Sequence, residues 1–424
     1  MRSWLQQAAA KHPDRVAIEG PEQTLTYAEL ARAAASAAAA LQRLGARRRA
    51  ALALSSPEEL VIALHGCLLA GVAAVPIDLR LGEAERAQRT AGAEVVVSEP
   101  LRGTAPPTPL PGAERGETEP VAVMHTSGTT AAPKPVVLTH ANFLASALGS
   151  AVALGLDQRE RWLCSLPLTH VGGLSIPIRS AIYATTAVVH SRFETGAVLD
   201  ELMDVERRIT MVSLVPTMLA RLLDAGLHSP PTLRWALLGG GPIAPALLER
   251  ASAAAVPVAP TYGMTEACSQ IATFGWPLPG VELRIAGGEV LVRGAIVAPG
   301  ALAADGWLRT GDLGELDERG RLRIAGRQAD TIVTGGENVA PAEVEAVLLE
   351  HPAVADAAVH ARPDREWGEA VVATVVPRDG ARPSVQELRE HCAARLAGFK
   401  VPKHIAFAAQ LPRTGSGKLI RRRL

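Results

Sequence analysis

Through the first two thirds of the chain, short runs of consecutive apolar residues alternate with longer stretches in which apolar residues recur at helical spacing. Residues 50–54, 73–77, 95–98 and 121–124 are such runs, and 188–190, 211–214 and 235–238 continue the series. A strand with no polar alternation is buried on both faces, so the series predicts parallel sheets covered by helices, an α/β architecture. Helices are expected at 31–44, 141–154, 198–207 and 217–225, and from about residue 245. Residues 60–79 are apolar enough to suggest a membrane span, but His65, Gly71, Pro76 and Asp78 interrupt them. Their rhythm is helix then strand, so they read as buried core. Residues 102–120, rich in Pro, Gly and Thr, read as a surface linker.

After Gly280 the period shortens to two. Residues 281–285, 289–293 and 321–324 alternate between glycines and predict a small antiparallel β subdomain. From about Ala329 an α+β pattern follows, with helices at 341–349 and 384–396 and strands at 354–360 and 370–377. The expected organisation is a large N-terminal domain, residues 1–328, of layered α/β subdomains plus the antiparallel one, followed by a small mobile α+β C-terminal domain, residues 329–424.

Charge and cysteine usage narrow the class. The 43 Lys and Arg residues balance 43 Asp and Glu, which leaves no electrostatic footprint for nucleic acid or an anionic membrane. A small-molecule enzyme is expected, with homo-oligomerisation left open. Cys67, Cys164, Cys268 and Cys392 are scattered, indicating neither a zinc site nor a disulfide framework. The first residues lack the apolar core of a signal peptide, so a reducing, cytoplasmic location without membrane insertion is expected.

Several motifs carry chemistry. Thr126-Ser127-Gly128-Thr129-Thr130-Ala131-Ala132-Pro133-Lys134 offers hydroxyls, amides, a close-approach glycine and a cation, which together suit a phosphate cradle. It is not a Walker A loop, since prolines flank the lysine; the plainer alternative is a polar turn. Gly239-Gly240-Gly241-Pro242 lets a flat ring lie on bare backbone, or simply turns strand into helix. In Tyr262-Gly263-Met264-Thr265-Glu266, the tyrosine suits stacking on a base, Thr265 a phosphate oxygen and Glu266 a Mg²⁺ ion. Asp312, placed on a turn, suits the two hydroxyls of a ribose, with Arg327 completing the contact. Gly335 and Gly336 would permit a narrow passage. Lys418, in Thr414-Gly415-Ser416-Gly417-Lys418, joins the first loop in suggesting a nucleotide site shared by two domains.

This ordered set, running from Thr26-Tyr27-Ala28-Glu29-Leu30 to Lys418, resembles the adenylate-forming superfamily of acyl-CoA synthetases, adenylation domains and luciferases. The resemblance implies ATP, Mg²⁺ and coenzyme A. Residues 126–134 would hold the ATP phosphates, and the Gly239 to Pro242 turn with Tyr262 would embrace adenine. Thr265 and Glu266 would serve phosphate and magnesium, Asp312 and Arg327 ribose, and Lys418 the carboxylate and α-phosphate. The lid would then swing about Ala329 to bring Gly336 to a pantetheine channel. Ala131, where the family loop carries glycine, and Ala329, where relatives carry a polar residue, depart from the pattern.

A narrower likeness is to the o-succinylbenzoyl-CoA ligases of menaquinone biosynthesis. It is carried by Trp162-Leu163-Cys164-Ser165-Leu166-Pro167-Leu168-Thr169-His170-Val171-Gly172-Gly173-Leu174, by Tyr262 to Gln270 and by Gly335-Gly336-Glu337-Asn338. It implies that Arg179 meets the non-reacting carboxylate of a dianionic acid and that Gly263 and Ser269 line the substrate. His170 would wall the acyl pocket within a catalytic set of Lys418, Thr265 and Glu266; Thr169 stands where an aromatic is usual. A CoA ligase for another aryl or short-chain acid, a stand-alone amino-acid or aryl-acid adenylating domain, and an adenylate-binding protein without catalysis are the alternatives.

Overall fold

The computed structural model describes residues 3–102, 116–126, 134–414 and 419–424. In chain order the N-terminal strands are β1 (Val16–Glu19), β2 (Thr24–Thr26), β3 (Arg49–Leu52), β4 (Ala73–Pro76), β5 (Val95–Val97), β6 (Pro120–Thr126) and β7 (Lys134–Thr139). β3 to β7 form one sheet in the order β5-β3-β4-β6-β7, parallel except for the last pair. The sequence reading missed β7, which pairs antiparallel with β6; the helix expected at 141–154 follows it as His140–Leu154. Pro135 is tolerated because β7 is the edge of its sheet.

The second sheet continues with β8 (Arg161–Cys164), β9 (Thr186–Val189), β10 (Met211–Leu214), β11 (Trp235–Leu238), β12 (Val258–Met264), β13 (Ser269–Thr273) and β14 (Trp276–Pro277). Its order is β14-β13-β12-β11-β10-β8-β9-β1-β2, with the six strands β12 to β1 parallel. Helices Tyr27–Arg43 and Pro57–Ala70 pack together over these sheets, so closely that a Cβ on Gly66 would stand 2.7 Å from that of Ala37. The first is started by a capping box in which Thr26 and Glu29 satisfy each other's backbone amides. One hydrophobic core runs from Leu5 and Tyr27 through Leu64 to Leu174. A second lies under helices Thr195–Met203, Pro216–Asp224 and Pro245–Ala253.

The antiparallel subdomain is β15 (Glu282–Ala286), β16 (Glu289–Arg293), β17 (Leu308–Leu316) and β18 (Leu322–Arg327), paired in chain order. Here the sequence reading needs a second correction, because Asp312 sits inside β17 and not on a turn. The C-terminal sheet comprises β19 (Ile332–Thr334), β20 (Glu337–Val339), β21 (Val354–Asp364), β22 (Gly368–Pro377) and β23 (His404–Phe407). Helices Pro341–Leu349 and Val385–Ala393 contribute Val344, Leu348 and Leu388 to its own core with Ile332, Val359 and Val371. No helix of the described residues is long and apolar enough to cross a membrane. All four cysteines are free and buried.

Candidate active site

Three strands deliver the residues the sequence assigns to a nucleotide. β17 and β18 pair Asp312 directly with Arg327, whose Nε lies 3.1 Å from Asp312 Oδ1. From β12, the Tyr262 hydroxyl donates to Asp312 Oδ2 at 2.7 Å. The Asp312 amide donates to Thr310 Oγ1, which donates in turn to Val290 O, so the carboxylate is fixed from behind. Each carboxylate oxygen keeps a further lone pair for a hydroxyl donor. Burial, reinforced by the Asp312 charge, raises the Tyr262 pKa, and the residue remains a neutral phenol whose ring packs beside a hydrophobic cluster.

The glycine turn lies at the carboxyl end of β11, where parallel α/β sheets bind ligands. Two of its glycines have local reasons to be glycine. A Cβ on Gly239 would approach Thr261 O to 2.8 Å, and Gly240 adopts φ +80°. Gly241 and Pro242 complete the turn before helix Pro245–Ala253.

Beyond Tyr262 the chain tightens. β12 bulges between Tyr262 and Gly263, and a Cβ on Gly263 would stand 1.7 Å from Ser269 O. Thr265 and Glu266 form a single 3-10 turn, after which Cys268 (φ 48°) and Ser269 (φ 91°) both adopt left-handed backbone. Two successive non-glycine residues in that region store strain of the kind found at ligand-clamping sites. Glu266 is half-buried and its backbone carbonyl accepts the Ala298 amide. Among the described residues no three His, Cys, Asp or Glu side chains gather as a metal cage. A single carboxylate beside a threonine hydroxyl fits Mg²⁺, which keeps waters and shares phosphate oxygens.

Of the residues expected to meet the acid, Arg179 lies on helix Val171–Tyr183 and is only 2 % exposed. Its Nη2 donates to Ser146 Oγ at 3.4 Å and its guanidinium carbon lies 5.0 Å from the Trp162 ring centroid. Its Nε has no hydrogen-bond partner among the described residues. Burial lowers the Arg179 pKa, but a guanidinium titrates so high that the charge persists. Ser146 donates onward to Cys268 O at 2.8 Å and thereby ties Arg179 to the strained segment that precedes Ser269. Sequence reading missed Ser146; its signal was a serine in the buried stripe of helix His140–Leu154, with Phe143 and Ala147. Trp162 was quoted only as part of a longer likeness.

His170 caps the start of helix Val171–Tyr183 and faces Asp78. Burial raises the Asp78 pKa, yet Arg80 hydrogen bonds, with the Arg80 and His170 charges, bring it below the usual range. Thr126 ends β6 and Lys134 begins β7, with Thr126 Oγ1 donating to Lys134 O at 3.3 Å. Ser127, Gly128, Thr129, Thr130, Ala131 and Lys418 lie outside the described residues. Gly335 and Gly336 (φ 58° and 84°) form the turn of the β19–β20 hairpin; a Cβ on Gly336 would meet nothing within 4 Å.

Layered α/β sheets that bring Tyr262, Asp312 and Arg327 together fit a nucleotide-dependent enzyme, and the chain belongs to the AMP-binding enzyme family. That family matches residues 5–306, and the AMP-binding enzyme C-terminal domain matches residues 343–418. The 2-succinylbenzoate–CoA ligase of Bacillus licheniformis is 38 % identical, covering 100 % of this chain and 99 % of its own. o-Succinylbenzoate CoA synthetase of Bacillus subtilis in complex with its acyl-adenylate intermediate superposes with TM-score 0.90 at 36 % identity, covering 100 % of this chain and 97 % of that one. The same enzyme with ATP and magnesium gives 0.91 at 36 % identity, covering 100 % and 99 %. A double mutant of it bound to a product analogue gives 0.72 at 37 % identity, covering 100 % and 98 %.

Proposed function

We propose that this protein is an ATP-dependent acid–thiol ligase that converts o-succinylbenzoate and coenzyme A into o-succinylbenzoyl-CoA, AMP and pyrophosphate. The full-length identity to 2-succinylbenzoate–CoA ligases carries this reading, and the buried Arg179 supports it by offering a dianionic acid its second contact.

In the first step the succinyl carboxylate oxygen attacks the α-phosphorus of ATP, a P–O bond forms and pyrophosphate leaves. Residues 126–134 and Lys418 stabilise charge developing on the phosphoryl group. Asp312 and Arg327 hold the ribose, Tyr262 with Gly239 to Pro242 the adenine. Glu266, with Thr265 beside it, would hold the magnesium ion that neutralises phosphate charge. In the second step the CoA thiolate attacks the acyl carbon and the C–O bond to AMP breaks. The C-terminal domain, from residue 329, turns between the steps to bring Gly336 toward the thiol. His170, Gly263 and Ser269 line the acyl pocket. The higher TM-scores with the ATP and acyl-adenylate complexes than with the product-analogue complex support assigning the described arrangement to the first step. We place the enzyme in the cytoplasm, in keeping with its free cysteines.

The test is carboxylate-dependent ATP–pyrophosphate exchange over o-succinylbenzoate, benzoates, fatty acids and amino acids. Exchange with o-succinylbenzoate at least tenfold above every other acid is expected. Exchange led by another acid replaces the substrate, and no exchange with any acid removes the adenylation chemistry.

A further inference from the structure

We propose that Arg421 and Arg413 are positioning residues that fix the C-terminal tail for the adenylation step, Arg421 by tying it to the turn that follows the ribose-binding strand. The inference rests on the reading of Lys418 given above.

The two arginines flank Lys418, Arg413 five residues before it and Arg421 three after. Arg413 and Leu419 form an antiparallel bridge, and the Ile420 amide donates to Pro412 O at 2.8 Å, so the described residues on either side are paired. Each end is then anchored to the C-terminal domain by a planar cation. Arg413 Nη2 donates to both Asp356 oxygens, at 2.8 and 2.7 Å, on β21. Arg421 spreads its donors over three acceptors: Val359 O at 3.0 Å, Asp330 Oδ2 at 3.3 Å, and Glu345 Oε1. Only a rigid guanidinium fork reaches such a set.

These contacts exceed what a surface tail needs. Glu345 is 7 % exposed and also accepts the Val359 amide, so it is a buried carboxylate whose cation is supplied from the chain terminus. Asp330 lies on the 3-10 turn Gln328–Asp330, three residues after Arg327, the partner of Asp312. The ribose contact and the tail are thus joined by a short path: Asp312, Arg327, the turn, Asp330, Arg421. Tail placement should matter for the step assigned to Lys418 and not for the step assigned to Gly336.

The experiment separates the half-reactions. Arg421→Lys, Asp330→Asn and Lys418→Ala are assayed for pyrophosphate exchange with o-succinylbenzoate and for CoA thioester formation from supplied acyl-adenylate, with thermal melting alongside. Arg421→Lys is expected to lower the adenylation kcat at least tenfold, with the KM for ATP and the thioester rate within twofold of the parent. Asp330→Asn, which removes the charge from one partly exposed arm and keeps Glu345 paired, should give the same pattern at about threefold. Equal slowing of both half-reactions with a fall in melting temperature would mean a purely structural clamp and overturn the proposal. Full adenylation in Arg421→Lys alongside inactive Lys418→Ala overturns it alone, whereas full adenylation in Lys418→Ala removes the Lys418 reading and this one with it.

Discussion

On the proposed reading, Arg179 is the residue at which folding and binding make opposite demands. A guanidinium that is 2 % exposed, with one long hydrogen bond to Ser146 and an aromatic ring for company, is desolvated without a compensating carboxylate at bonding distance among the described residues. Burying an ion in this way costs on the order of several kcal/mol, and such a cost persists where function requires it. Arg179→Met should therefore hold or raise the melting temperature while it raises the KM for o-succinylbenzoate. The lost charge-assisted contact corresponds to roughly 1.5–3 kcal/mol, or about 10- to 100-fold in KM, with the KM for ATP nearly unchanged. Steady-state kinetics with each substrate varied, beside a melting curve, checks both halves. A variant that loses stability and keeps its KM would make Arg179 a structural residue. By contrast, the Tyr262–Asp312–Arg327 set is mutually satisfied. The sequence reading already joined Asp312 with Arg327, but nothing in the spacing showed that the Tyr262 hydroxyl shares the same carboxylate.

Among the elements, the unpolar parallel strands were legible because burial on both faces leaves a continuous apolar run; 211–214 and 235–238 fall on β10 and β11 without adjustment. The strands that build the site were less so. β7 contains Pro135, which local chemistry reads as a breaker and only an edge position excuses. β17 carries Gly311 at φ +68° and a bulge at Leu313–Gly314, where a Cβ on Gly314 would stand 2.6 Å from Arg323 O. Glycines that permit close strand approach look, in sequence, like turns. The same physics makes Gly263 the most demanding position between β12 and β13, since its missing Cβ would lie 1.7 Å from a backbone oxygen that cannot rotate away. Gly263→Ala should cost about 3 kcal/mol by forcing the strands apart, whereas Gly241→Ala, whose nearest neighbour is Pro216 at 3.9 Å, should cost about 0.5 kcal/mol or less. Denaturant midpoints of the two variants, compared at a common slope, decide the matter.

At the scale of the whole molecule, folding carries a pH dependence set in the core. His65 is buried on helix Pro57–Ala70, its Nε2 has no hydrogen-bond partner among the described residues, and burial lowers its pKa from the ordinary 6.5 to about 4. In the unfolded chain it takes up a proton as pH falls through its ordinary range; in the folded chain it stays neutral until near pH 4. The unfolded state thus binds more protons between these limits, and stability falls as pH falls through that window. The loss levels off below it, at roughly 3 kcal/mol by the linkage of pKa to free energy. Glu94 and Glu201, both lowered to about 2, add a separate loss at more acid pH: backbone amides hold Glu94 ionised, while for Glu201 burial opposes ionisation and contacts from His190 and Arg207 outweigh it. His65→Leu fills similar space without a titrating group, so subtraction isolates the histidine. Melting temperatures of parent and variant should run parallel above pH 6.5 and converge or cross as the parent declines toward pH 4. A constant offset over the whole range would show that His65 does not titrate differently in the two states.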